Sequence, residues 1–293
     1  MLRFRVPAST TNLGHGFDCL GIALGAANII SVEPASNAAV VAPEAPDEGL
    51  ARMATQVRDA CAKRWNTLIP GFTVRVAGDV PVARGMGSSS TIFLGVAAAC
   101  QRLANRAFAK QELLEIAASE EGHPDNAAAA CMGGFTIVAA TPQGLRWSRF
   151  AVPSDLVAVV AIPPFEVKTS DARRILPAQV ERADLVRALQ RSALITAVLA
   201  SGRISELTGL FDDAWHEQYR ATVNPGLVEA RAAAGQAGAI GTILSGSGST
   251  VLSFTLRSRA DDVAGAVLAS YRARGVAAAV RTMDFDNAGL SAV

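Results

Sequence analysis

The stretch Pro81-Val82-Ala83-Arg84-Gly85-Met86-Gly87-Ser88-Ser89-Ser90, running into the alanine-rich segment Thr91–Ala107, constrains this chain more than any other. Two glycines let a backbone curl until consecutive N–H groups point the same way, and the serines then open a helix. Amides at the positive end of a helix dipole hold anions, phosphate above all. The same letters also spell a glycine turn with a serine N-cap, and the loop alone leaves both readings open. It is not a Walker A loop, because no lysine follows the last glycine. The helix behind it is apolar on nearly all sides, which predicts full burial.

The chain has 293 residues, 50% of them hydrophobic and 18% charged. That excludes a disordered chain and allows one large or two ordinary domains. A formal net charge of +1 argues against a broad basic surface for nucleic acid or an anionic membrane. Lysine is rare (Lys63, Lys110, Lys168), so most positive charge is arginine; that suits forked recognition of anions, and codon bias explains it as well. The longest apolar runs fall short of the ~18 residues that a spanning helix needs, and the start lacks a basic-then-apolar export signal. Cys19, Cys61, Cys100 and Cys131 are scattered without a paired motif. They predict small buried thiols of a reduced, cytoplasmic protein rather than a zinc site.

Alternation and period predict strands at Phe4–Val6, Asn28–Val32, Phe72–Val76, Phe135–Ala140 and Leu156–Ile162, then at 239–244, 250–256 and 277–283. Helices are expected over Glu48–Trp65, Thr91–Ala107, Gln111–Glu121, 178–200, 204–219, 225–235 and 260–273, with a loop over 35–47. Alternating elements around a continuous apolar strand predict a mixed architecture, α/β or α+β, with a boundary near 150–155.

Three further segments carry polar groups suited to chemistry. Glu120-Glu121-Gly122-His123-Pro124-Asp125-Asn126, with Glu115 earlier on the same helix, offers the carboxylates that a magnesium nucleotide needs; it also reads as solvated helix-end charge followed by a turn. Ser245-Gly246-Ser247-Gly248-Ser249-Thr250 is either a flexible hairpin or a backbone-rich turn that closes on a ligand. Asn12-Leu13-Gly14-His15-Gly16-Phe17-Asp18 is either an exposed loop or a polar pocket in which Asn12 and Asp18 receive a cationic group.

These segments in this order resemble the GHMP superfamily of small-molecule kinases, and within it the homoserine kinase family. The likeness is carried by Pro7–Gly21, Pro81–Ser90, Glu121-Gly122-His123-Pro124-Asp125-Asn126, Thr169–Pro177, His216–Arg220 and Ser245–Thr250. Departures are His15, Ala127–Ala130 and Ser249, where such proteins commonly carry proline; they touch loop stiffness more than chemical groups.

The resemblance implies an α+β, two-domain GHMP kinase fold. Residues 1–152 would form an ATP-binding domain like the second domain of ribosomal protein S5, and 153–293 a ferredoxin-like C-terminal domain. It implies transfer of the ATP γ-phosphoryl group to the side-chain hydroxyl of homoserine, a step toward threonine. ATP would lie on Pro81, Arg84, Gly85, Met86, Gly87, Ser88, Ser89 and Ser90, with Mg2+ on Ser89 and Glu115. Asn12 and Asp18 would take the substrate ammonium, and Arg173 and Arg220 its carboxylate. Asn126 and Arg173 would be catalytic. Asn126 stands where several relatives place an aspartate, so it would orient the hydroxyl rather than deprotonate it. A homodimer is the family expectation. A GHMP kinase for another small alcohol, an inactive GHMP-fold binding protein and a nucleic-acid binder are the alternatives. The intact glycines, Ser89 and Glu115 weigh against an inactive protein, and the net charge weighs against nucleic acid.

Overall fold

A computed structural model describes residues 1–35, 39–42, 49–213 and 215–293. The chain opens with a long hairpin, β1 (Leu2–Asn12) and β2 (Gly16–Pro34), then β3 (Val40–Val41), α1 (Gly49–Trp65), β4 (Phe72–Gly78), α2 (Ser88–Leu103), α3 (Lys110–Glu121), α4 (Asp125–Met132), β5 (Phe135–Thr141) and β6 (Gly144–Phe150). The second half runs β7 (Leu156–Ile162), α5 (Thr169–Arg174), α6 (Arg182–Ser201), α7 (Glu217–Arg220), α8 (Leu227–Gln236), β8 (Gly241–Leu244), β9 (Val251–Leu256), α9 (Ala260–Ala273), β10 (Ala279–Met283) and β11 (Ser291–Ala292).

The strands make two sheets. The first is seven-stranded, with β11-β1-β2-β4-β3 along its path and β5-β6 branching from β2. The branch exists because β2 is long: Leu20–Ile22 pair with β5 while Asn28–Pro34 pair with β4. The second sheet has the order β10-β7-β9-β8, every neighbour antiparallel. Its βαββαβ chain order is that of a ferredoxin-like unit. β11 crosses the expected 152/153 boundary and returns to the first sheet, pairing Phe4 with Ala292.

Three apolar layers result. One face of the first sheet (Phe4, Val6, Ile30, Val32) packs on α1 to α4. Leu20, Ile22 and Leu24 of β2 meet Leu156, Ala158 and Val160 of β7 between the sheets. Val157, Val159 and Ala161 point the other way, onto α8 and α9. β7 is thus buried on both faces, as a continuous apolar run requires. α2 is buried on all sides because its residues are small: a Cβ on Gly95 would come 2.3 Å from Ile30 Cγ1.

Differences from expectation have local causes. Residues 204–219 carry apolar residues at helical spacing, but form a 3-10 turn (Ile204–Leu207), irregular chain and the short α7. The Asp213 carboxylate takes the N–H groups of His216 and Glu217, both at 2.6 Å, and so holds that chain in a turn. Asp125-Asn126 opens α4 instead of a turn. β3 lies within the expected loop, most of which, with Glu48, lies outside the described residues. Among the described residues, no helix is long and apolar enough to cross a membrane.

Candidate active site

A cleft of about 320 Å³, within the range of small-molecule sites, opens between the start of α2 and the second sheet's loops. Gly87 caps α2 in the left-handed conformation (φ 68°), and no side chain caps the amides that follow. The first-turn N–H groups therefore face the cleft as an anion cradle. Both loop glycines are required. A Cβ on Gly87 would sit 2.2 Å from Ser9 Oγ, and one on Gly85 would sit 2.1 Å from the Ser245 carbonyl oxygen. The Ser245–Thr250 turn closes on this loop: Ser245 Oγ donates to the Gly85 carbonyl at 2.7 Å, and Thr250 N–H to the Arg84 carbonyl at 3.2 Å. Asn28 braces the helix start, donating from Nδ2 to Thr91 Oγ1 at 2.9 Å.

The acidic wall comes from the α3–α4 junction. Glu121 receives hydrogen bonds from the hydroxyls of Ser89 and Ser90. Burial pushes its carboxyl up, opposed by the charge of His123 and by both serines. His123 Nδ1 lies 2.9 Å from Asp125 Oδ1. Burial lowers His123, but this hydrogen bond and the charges of Asp125 and Glu121 outweigh it, and the net shift is upward.

Glu115 is elsewhere. It pairs with Arg64, accepts from Gln111 Nε2 at 2.7 Å and does not line the cleft. Six residues along a helix turn two side chains by about 240°, so Glu115 and Glu121 cannot serve one site. The carboxylate beside Ser89 is Glu121, which corrects the expectation for Glu115.

The Asn12–Asp18 loop is held in unusual backbone conformations, Asn12 at φ 72° and Asp18 at φ 55°, which Asn and Asp tolerate better than most residues. Asn12 spends its side chain inside the protein: Nδ2 donates to the Gly246 carbonyl at 3.0 Å, and Oδ1 accepts from Asp18 N–H at 3.2 Å. Asp18 meets Arg173 in a two-pronged pair, 2.6 and 2.9 Å, which raises Arg173 above its usual range. Arg220 is 1% exposed, donating from Nη1 to the Gly246 carbonyl at 2.9 Å and from Nε to the Ala172 carbonyl at 3.3 Å. Burial, with Arg173 nearby, lowers it to about 10, so it stays charged at neutral pH. Both guanidiniums lie over the Phe17 ring, 5.4 and 5.3 Å from its centre. Asn126 is fixed by Ser9, which donates to its Oδ1 at 2.8 Å, and by its own Nδ2 donating to Thr11 Oγ1 at 3.3 Å.

Of the residues expected from sequence, the structure brings Asn12, Asp18, Arg84, Gly85, Gly87, Ser88, Ser89, Asn126, Arg173 and Arg220 to one cleft. It does not bring Pro81, Met86, Ser90 or Glu115 to its lining. Met86 is a core side chain packed between the sheets, and Ser90 lies buried behind Glu121. The expectation missed Phe17, His123 and Lys168 as lining residues. A sequence gives no sign of how a lone lysine or aromatic ring is aimed.

His216 supports Arg220 from below. Its Nε2–H donates to the Gly14 carbonyl at 3.1 Å, which leaves the Nδ1 lone pair facing Arg220 Nη1 at 3.4 Å. Burial depresses its pKa from 6.5 to about 4, with Asp213 opposing and Arg220 reinforcing the shift. A proton taken up in the unfolded chain below pH 6.5 is refused by the folded one until about pH 4. His216 therefore contributes stability that is full above pH 6.5 and is lost as pH falls through that window. Glu217, which burial raises to about 7, contributes in the opposite sense over the same range. The test is thus a difference: urea midpoints of His216→Gln should gain on those of the unaltered protein from pH 7 to pH 4.

Comparison with known proteins identifies the family. The family profile described as GHMP kinases N terminal domain matches residues 50–134, and that described as GHMP kinases C terminal matches residues 188–273. The chain belongs to the GHMP kinase family. Along its length it is similar to homoserine kinases: that of Desulfitobacterium hafniense is 33% identical over 297 residues, covering 100% of both chains. That of Deinococcus radiodurans is 38% identical over 256 residues, covering 85% of this chain and 83% of the relative. The crystal structure of homoserine kinase from Cytophaga hutchinsonii superposes with a TM-score of 0.89 at 23% identity, covering 100% of this chain and 97% of that one, and shares the fold.

Proposed function

We propose that this protein is an ATP-dependent kinase that phosphorylates the side-chain hydroxyl of L-homoserine, yielding O-phosphohomoserine and ADP. One observation carries the reading. The uncapped α2 N-terminus and a paired Asp18–Arg173 with Arg220 share one cleft, a seat for phosphate beside a seat for a zwitterion. The substrate ammonium takes Asp18, and its carboxylate takes Arg173 and Arg220. The triphosphate lies on the amides of Gly87 to Ser90 and beside Arg84.

A magnesium ion fits the Glu121 carboxylate. That group lines the cleft half-buried, and its hydrogen bonds among the described residues come from two serine hydroxyls, with no ion-pair partner. A carboxylate held partly out of water in this way is stabilised when a cation joins it. Glu121 and Ser89 would hold the ion, the remaining positions going to phosphate oxygens. When bound, it neutralises charge on the transferring group.

The acceptor hydroxyl attacks phosphorus as the bond to the β-phosphate oxygen breaks, and as the new O–P bond forms its proton passes to a non-bridging oxygen of the transferring phosphoryl group. A loose transition state asks the protein for position more than for deprotonation, which suits an asparagine locked by Ser9 and Thr11. The reaction belongs in the cytoplasm, where the four free cysteines stay reduced.

Purified protein with magnesium and ATP should release ADP with homoserine and yield a phosphate monoester by phosphorus NMR. Serine, one methylene shorter, should react at least about tenfold more slowly. Equal turnover with alcohols lacking either charge would overturn the reading.

A further inference from the structure

The cleft carries more cationic side chains than the zwitterion needs, and most are already engaged. Arg84 donates to the Pro163 and Pro164 carbonyls at 3.2 and 2.8 Å and lies 3.3 Å from Glu166. His123 is bound to Asp125, Arg173 to Asp18, and Arg220 to backbone carbonyls. Among the described cleft residues, Lys168 is the cation whose side chain has no hydrogen-bond or ion-pair partner.

Its place is nevertheless well defined. Val167 N–H donates to the Ala83 carbonyl at 3.2 Å, and Ser249 Oγ donates to the Phe165 carbonyl at 2.6 Å. These bonds stitch the segment before Lys168 to the phosphate loop and to the turn that closes on it. Lys168 then caps α5, its carbonyl accepting the N–H groups of Asp171 and Ala172, both at 3.0 Å. The backbone is thus fixed at the cleft wall, while a flexible four-carbon stem carries the charge.

We propose that the Lys168 ammonium is a catalytic group that meets the equatorial oxygens of the γ-phosphoryl group during transfer. An uncommitted cation of this kind adds little to nucleotide binding and most to the state in which charge shifts toward the leaving oxygen. The inference rests on the phosphotransfer reading above and assigns that site a further residue.

Steady-state kinetics of Lys168→Ala, Lys168→Arg and the unaltered enzyme test it, together with calorimetric binding of ADP and of ADP–aluminium fluoride, both with magnesium. Lys168→Ala should lower kcat about ten- to a hundredfold and leave both KM values within about twofold. It should weaken the aluminium fluoride complex by a similar factor, leave ADP affinity unchanged, and be largely rescued in Lys168→Arg. A kcat within about threefold of the unaltered enzyme, or a raised KM for ATP at constant kcat, would overturn the assignment. Failure of the unaltered protein to turn over homoserine would instead overturn the proposed function, and this inference with it.

Discussion

Glu121→Gln should lower turnover roughly a thousandfold at saturating ATP, while Glu115→Gln should leave it within about twofold. The two residues belong to the same helix, and only Glu121 reaches the serines at the start of α2. Loss of its charge removes the carboxylate proposed for magnesium without altering the side chain's shape, so circular dichroism and thermal midpoint should change little. Raising magnesium should recover part of the activity of Ser89→Ala but almost none for Glu121→Gln. Comparable losses in Glu115→Gln and Glu121→Gln would refute the placement of the metal.

Arg220→Ala should lower kcat/KM for homoserine about a hundredfold, because a buried charge-assisted contact is worth roughly 1.5–3 kcal/mol. Arg220→Lys should rescue little, since an ammonium cannot span the Ala172 and Gly246 carbonyls and the substrate together. The unaltered enzyme should disfavour homoserine amide by a similar factor, and in Arg220→Ala the gap between acid and amide should largely close. KM for ATP should hold in every case. If the amide serves as well as homoserine, the carboxylate pocket is wrong and another alcohol becomes the better substrate.

Much of the fold was legible because its signals are local. The run Leu156–Ile162 shows two-sided burial in its composition, and the small residues of α2 show a helix enclosed on all sides. The hairpin was harder. β1 and β2 run through polar residues such as Ser9, Thr10 and Asn28, which are buried by partners distant in the chain. β11 is two residues long and carries no pattern of its own; register with β1 makes it a strand.

The site followed the same division. Loop glycines and serines announce themselves by type, whereas the two arginines were placed by the family resemblance; all line one cleft. The two candidate carboxylates part by helix geometry: Glu115 meets Gln111 one turn away and Arg64 of α1, and that second contact is one that spacing does not reveal. Phe17, lying under both guanidiniums, went unassigned because an aromatic residue between glycines and an aspartate looks like any loop residue.

In the proposed pocket, the Asp18–Arg173 pair would set a rule of admission by charge. Without substrate, each group neutralises the other across the mouth of the cleft. A zwitterionic alcohol replaces one ion pair by two and strands neither protein group. An amino alcohol without a carboxylate separates the pair and leaves Arg173 unanswered; a hydroxy acid without an amine does the same to Asp18. Such ligands must break an existing interaction for half a return, and they are turned away before their shape is tested. Discrimination of this kind weakens as salt screens the half-exposed pair, so selectivity for the zwitterion over either singly charged analogue should narrow with rising ionic strength.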